Sequence, residues 1–143
     1  MNNELGYYVT DDGGDIFWSV VFLNDLSVRQ KLAIINFLMV IAESNVVPPA
    51  KFSQQKQDFF FVMFYEFGVS EAEYQAYFSL GGRDWVIADI KSLSASNMHG
   101  LAYSTLELWN LDGKTTEPEY EAHADWLIDI GMTEDEWCDV VDQ

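Results

Sequence analysis

Apolar and polar residues follow each other along this chain in patterns typical of helices. From Ser27 to about Glu43 the apolar positions go all the way round the helix, which indicates a central helix buried on every side. The next segment, residues 50–67, is polar in its first half and apolar in its second. Gly68 is well placed to end that helix, because glycine adopts the left-handed conformation at little cost.

Four capping boxes predict where helices begin. In a capping box, a Ser or Thr and a Glu or Gln three residues later satisfy each other's backbone N–H groups. The four pairs are Ser27 with Gln30, Ser70 with Glu73, Thr116 with Glu119, and Thr133 with Glu136. The pattern further predicts helices over about residues 70–78, 84–93, 96–111, 117–130 and 133–141, with a turn at residues 80–82.

These elements predict an all-α fold: one helical bundle of about six to eight helices spanning residues 1–143 as a single domain. The length of the chain suits one domain with a sizeable core. The first 25 residues allow two interpretations, a short helix from Asp15 to Leu23 or a hairpin of residues 7–10 with residues 16–22. We favour the helix, because the rest of the chain is helical.

A short segment recurs within the chain. Residues 67–74 and 130–137 both read apolar, Gly, apolar, Ser or Thr, acidic, any residue, Glu, aromatic. Each copy follows a long helix, and a largely apolar helix lies further upstream. We therefore expect two similar halves, at residues 28–78 and 96–141, although common capping chemistry can produce the same pattern.

This arrangement resembles the tellurite-resistance TerB-like helical family. The resemblance lies in Ala-Glu-Ser-Asn at residues 42–45 followed by Pro-Pro at 48–49, and in Asn-Leu-Asp-Gly at residues 110–113 followed by Thr-Glu-Pro-Glu at 116–119. It covers about residues 28–141. The resemblance implies an all-helical fold with duplicated halves and acidic residues that bind a divalent metal.

The two copies of that motif differ at the acidic position. Asp112 matches the family's Asp-Gly pattern, whereas Asn45 replaces the acid in the first copy and no glycine follows it. This departure argues against a symmetric metal cluster.

The strongly acidic composition changes the functional picture most. The sequence contains seven Lys and Arg residues and 24 Asp and Glu residues, which gives a net charge of −17. Direct binding to nucleic acid or to an anionic membrane is disfavoured, since both need cationic side chains. A basic protein partner, a metal ion or simple solubility remains consistent with this charge.

The acidic residues concentrate near the ends of the chain. Residues 107–143 hold twelve acids and one Lys, whereas residues 27–106 are nearly neutral. We expect a binding surface for a basic partner among these carboxylates, although first-turn acids also stabilise helices through the dipole. The candidate surface comprises Asp112, Glu117, Glu119, Glu121, Asp125, Asp129, Glu134, Asp135 and Asp139.

An alternative set of residues would hold a metal ion. His123 follows Glu119 by four residues and therefore shares its helix face, and Asp112 lies just upstream. Asp112, Glu119 and His123 would then bind Ca²⁺ or Mg²⁺, although such a Glu and His pair is more often an ordinary surface pair.

The sequence favours binding over catalysis. It contains no glycine-rich phosphate loop, nucleophile elbow or zinc-type Cys and His spacing. We therefore expect a protein that is not an enzyme, needs no cofactor, and engages a basic protein as an immunity protein, an inhibitor or a charge mimic does. The alternative is a divalent-metal-binding stress-response protein of TerB-like type.

The expected location is the cytoplasm. The N-terminus lacks a basic region followed by an apolar one, and Cys138 is the only cysteine. A homodimer is compatible with the sequence, because Tyr74, Tyr77 and Phe78 could form either a dimer surface or part of the core.

Overall fold

The computed structural model describes residues 7–9, 15–17, 23, 25–44, 52–111 and 116–142. Within these ranges the chain forms six helices, as the all-α prediction requires. They are α1 (Val28–Glu43), α2 (Gln54–Phe67), α3 (Glu71–Lys91), α4 (Ala95–Asn110), α5 (Glu117–Ile130) and α6 (Glu134–Val141). All four predicted capping boxes are formed, at the starts of α1, α3, α5 and α6.

The described residues of the N-terminal segment form two paired strands, so the helix that we favoured from Asp15 is wrong. Strand β1 (Tyr7–Val9) pairs antiparallel with β2 (Asp15–Phe17), in a register that sets Tyr7 opposite Phe17. Tyr, Val, Ile and Phe are the residue types that favour extended strands, and they decide the conformation here. The helical character of the remaining chain had no bearing on this local preference.

Helix α3 joins the two short helices expected at residues 70–78 and 84–93. Gly82 interrupts it with φ 56° and ψ −150°, a backbone conformation that side chains rarely tolerate. At the neighbouring Gly81, a Cβ atom would lie 1.8 Å from the Trp85 ring. The predicted turn at residues 80–82 is therefore a kink at the two glycines, and helix α3 continues beyond it.

The core is built around α1, as its apolar pattern predicted. Ile34, Ile35, Phe37 and Leu38 are fully buried. Phe37 stacks on Trp126 of α5 with ring centroids 5.1 Å apart, and the Trp126 indole N–H donates to the Phe37 carbonyl oxygen at 3.1 Å. This contact fixes α5 against α1 and thereby positions the outer face of α5.

The two halves share one construction. Helices α2 and α5 end at Gly68 (φ 66°) and Gly131 (φ 76°), and the N-cap residue of the next helix follows two residues later in each case. Gly131 follows Gly68 by 63 residues. When the two glycines are aligned, each residue of α2 therefore corresponds to the residue of α5 that is 63 positions later in the sequence. In this register the N-cap residue Ser53 matches the N-cap residue Thr116.

The same register brings together a buried ion pair. Lys56 matches Glu119, both side chains are 2% exposed, and Lys56 Nζ lies 3.6 Å from Glu119 Oε2. Lys56 also donates to the Ala42 carbonyl oxygen at 3.1 Å, while Glu119 Oε1 accepts from the backbone N–H of Thr116 at 3.1 Å. Equivalent positions in the two halves thus carry opposite charges, and their side chains contact each other inside the protein.

Removing one member of this pair is expected to destabilise the fold severely. Lys56→Met should lower the free energy of unfolding by about 3–5 kcal/mol, because it leaves the Glu119 carboxylate buried without its cation. Glu119→Gln preserves the capping box but leaves the ammonium unpaired, so it should also destabilise. The double variant should lose clearly less free energy of unfolding than the sum of the losses in the two single variants.

Urea denaturation of the four proteins measures these values. Strict additivity of the two single losses would show that Lys56 and Glu119 do not stabilise each other.

Candidate functional site: the acidic face of α5 and α6

Most of the predicted binding surface lies together on the outside of α5 and α6. Helix α5 starts at the Thr116 capping box with Pro118 in its first turn, which presets the backbone for a helix. Seven of the exposed carboxylates on the two helices belong to the predicted surface, and we call these seven the acidic face. They are Glu117, Glu121, Asp125, Asp129, Glu134, Asp135 and Asp139.

The stripe on α5 follows directly from its spacing. Glu117, Glu121, Asp125 and Asp129 are four residues apart, so they lie one above another on the same side of the helix. Residues 117–141 contain no Lys or Arg to neutralise them within α5 or α6. The result is a continuous negative surface along α5.

Tyr120 connects α6 to this stripe. Its hydroxyl donates to the Glu134 carboxylate, which joins the first turn of α5 to the first turn of α6. Because Tyr120 lies between Glu117 and Glu121 in sequence, the contact brings Glu134 beside the stripe. The same hydrogen bond to Glu134 and its negative charge raise the pKa of Tyr120.

A groove of about 350 Å³ runs beside the α5 stripe. Its walls come from α1, α3 and α5, and the lining residues are Val40, Arg83, Ala122, Asp125, Ile128 and Asp129. Ile128 is 75% exposed. The groove therefore combines apolar surface with two carboxylates at its rim.

Arg83 partly neutralises one of those carboxylates. Its Nε donates to Asp129 Oδ2 at 2.7 Å, and its guanidinium lies 3.7 Å from the centre of the Trp126 ring. Among the described residues no ion pair engages Asp125. Asp125 is thus the rim carboxylate that is open to an incoming cation.

Two predicted members do not belong to the acidic face. Glu119 is wrong as a surface residue, because its side chain points into the core and pairs with Lys56. Asp112 lies outside the described residues. The acidic residues of the N-terminal segment, apart from Asp15 and Asp25, also lie outside them.

Of the predicted metal set, Glu119 and His123 lie within the described residues and Asp112 lies outside them. Within the described part of the chain, no group of three His, Cys, Asp or Glu side chains is close enough to hold a metal ion. Glu119 directs one carboxylate oxygen to the cap and the other to Lys56. The Lys56 ammonium faces the carboxylate where a cation would bind, so these residues do not fit a divalent metal.

His123 is enclosed by aromatic rings. It is 4% exposed, and the rings of Trp109 and Trp137 lie 4.9 and 4.8 Å from it, both close to edge-on. Its Nε2 is buried and has no hydrogen-bond partner among the described residues. Burial lowers the pKa of His123 to about 4, so the ring is neutral at neutral pH.

Sequence reasoning missed Tyr120, Ile128 and Arg83. An isoleucine three residues after Asp125 on an otherwise acidic stripe was a usable signal, since the outer side of a surface helix is normally polar. No local signal could assign Arg83 to Asp129, because 46 residues separate them.

The pKa of His123 predicts a loss of stability in acid. The unfolded chain restores the ordinary pKa near 6.5, so between about pH 6.5 and pH 4 the unfolded state binds more protons than the folded state. Stability from this residue is therefore complete above pH 6.5 and falls as pH is lowered to about 4, by about 3 kcal/mol. His123→Phe should remove this part of the pH dependence.

Urea denaturation of both proteins at a series of pH values measures the effect. The difference between them isolates His123 from the carboxylates, which titrate in both. Parallel stability curves from pH 7 to pH 4 would contradict the prediction.

No helix among the described residues is both long enough and apolar enough to cross a membrane. Comparisons with protein-family models, with curated proteins and with solved structures found no match to this chain. The resemblance to the TerB-like family therefore stays a prediction, and the geometry of the acidic face carries the functional argument.

Proposed function

We propose that this protein is a non-enzymatic binding protein whose acidic face engages a basic segment of another protein. The observation that supports this most is the stripe of exposed carboxylates on α5, which no basic residue of α5 or α6 neutralises. Electrostatic complementarity of this kind accelerates association and selects against acidic partners. Immunity proteins, inhibitors of basic enzymes and mimics of nucleic-acid charge act in this way.

The groove beside the stripe indicates which kind of basic segment would bind. An arginine or lysine reaching Asp125 would lay its aliphatic stem along Val40 and Ile128, because long basic side chains cover apolar surface while their charge stays solvated. A basic segment with apolar residues at intervals of three and four fits this surface better than a uniformly charged one. Such a segment would be a helix with one basic and one apolar side.

Charge reversal on the stripe tests the proposal. Glu121→Lys should weaken binding of a fluorescent amphipathic peptide helix bearing Lys and Arg by about 5–10-fold, measured by anisotropy. The affinity of the original protein should fall by at least about tenfold between roughly 50 and 300 mM salt. Both effects follow if the carboxylates of α5 attract the peptide.

Glu71→Lys is the matched control. Glu71 is exposed on α3, outside the acidic face, and its reversal changes the net charge by the same amount. It should change the affinity by less than about twofold. Equal losses from both variants would mean that the peptide senses overall charge only, and the acidic face would then have no special role.

The metal-binding alternative receives less support from the geometry. The Lys56 contact to Glu119 and the aromatic enclosure of His123 both work against a cation there. We expect about 10 mM Ca²⁺ or Mg²⁺ to change the Tm by less than about 1 °C relative to NaCl of equal ionic strength. A rise of several degrees that Asp112→Asn abolishes would restore the alternative.

A further inference from the structure

A second exposed surface lies on α2, and it differs from the acidic face in chemistry. Five side chains of this helix are exposed, and all are uncharged: Gln54, Gln55, Gln57, Phe61 and Tyr65. Phe61 and Tyr65 are 73% and 72% exposed. Large aromatic side chains that remain in water on a surface helix point to an interaction site.

The exposed residues form a seam suited to a second helix. Gln54, Gln57, Phe61, Phe64 and Gly68 are spaced by three and four residues, with Tyr65 beside them, which places them on one side of α2. Phe64 is half-buried, and its ring meets Tyr74 edge-on at 6.0 Å, so this end of the seam is firmly supported. We call this surface the α2 seam.

The two carboxylates of α2 are not equally far from the seam, because Asp58 lies on the seam side of the helix, four residues after Gln54 and three before Phe61. Helix α2 has two, Asp58 and Glu66, and both are half-buried. The Gln54 amide donates to Asp58 Oδ1 at 2.9 Å and so covers the one nearer the seam. The exposed side chains of α2 are therefore all uncharged, and the half-buried Asp58 carboxylate beside them accepts a hydrogen bond from Gln54.

The equivalent helix of the other half shows how specific this chemistry is. In the 63-residue register, Glu117, Glu121, Asp125 and Asp129 of α5 correspond to Gln54, Asp58, Val62 and the half-buried Glu66 of α2. Similar positions thus carry exposed carboxylates in one half, and uncharged, half-buried or buried side chains in the other. Two outer faces of such different chemistry suit two different partners.

We propose that the α2 seam is the interface of a homodimer. Two copies of a protein with a charge of −17 repel each other, so they approach at lower cost along a helix whose exposed side chains are uncharged. Glutamine amides and tyrosine hydroxyls both donate and accept hydrogen bonds, so the same patch can pair with itself across a twofold axis. A basic partner would instead be drawn to the acidic face.

This interface is not the one that the sequence suggested. Tyr77 is 4% exposed and belongs to the core, where its hydroxyl donates to Asp89 at 2.7 Å. Tyr74 is half-buried, and its hydroxyl accepts from Asn36 at 2.8 Å. Of the three residues considered for a dimer, only Phe78 is exposed, at 41%.

The seam predicts a weak dimer. Four aromatic side chains, two from each copy, would bury on the order of 600–1,000 Å² in total, which lies below the range of stable interfaces. We therefore expect a dissociation constant in the range of roughly 10–100 µM, with both monomer and dimer present in vitro.

Sedimentation velocity of the full chain from about 1 to 500 µM tests the proposal. The weight-average mass should rise with concentration from 16.4 kDa towards twice that value. Added salt should maintain or strengthen the dimer, because it screens the repulsion between copies. This response is opposite to that expected for a basic partner on the acidic face, so the two proposals can fail separately.

Phe61→Ser with Tyr65→Ser should weaken dimerisation at least about tenfold, without unfolding the protein, because both side chains are mostly in water. Ile128→Ser is the matched control, since Ile128 is 75% exposed but lines the groove beside the acidic face, on α5. A monomer at every concentration would overturn the proposal, as would a dimer that Ile128→Ser weakens equally or one that salt dissociates.

Discussion

The buried ion pair between Lys56 and Glu119 ties the two halves together, alongside the packing of Trp126 on Phe37. It joins the start of α2 to the start of α5 inside the protein, where both side chains are 2% exposed. Glu119 also caps its own helix, and Lys56 also binds the end of α1 through the Ala42 carbonyl oxygen. One buried pair thereby positions three helices, including the one that carries the acidic face.

The helices could be predicted because their ends are set by local chemistry. Ser27, Ser70, Thr116 and Thr133 cap helices through residues three positions away, and Gly68 and Gly131 end helices through their own backbone freedom. The hairpin of β1 and β2 was missed because an inference from the rest of the chain was allowed to outweigh local β-propensity. Lys56 was missed because a polar half-helix predicts solvent, and its partner is far away in sequence.

The candidate site was predictable in charge but not in detail. Four-residue spacing was sufficient to place Glu117, Glu121, Asp125 and Asp129 on one side of α5. The same spacing suggested that Glu119 and His123 share a face, which they do, but that face is turned to the core. Which side of a helix is buried depends on its neighbours, and only tertiary structure reveals that Trp126 and Phe37 turn the acidic side outward.

The opposite charges at matching positions also constrain how such a fold can be inherited. Two copies of the first half, packed as the halves pack here, would bury two ammonium groups against each other, and two copies of the second would bury two carboxylates. Either arrangement would cost stability, since like charges in a low-dielectric interior repel or force one group to give up its charge. The halves are therefore complementary rather than interchangeable at this position, and recombination that swapped one for the other would destabilise the chain.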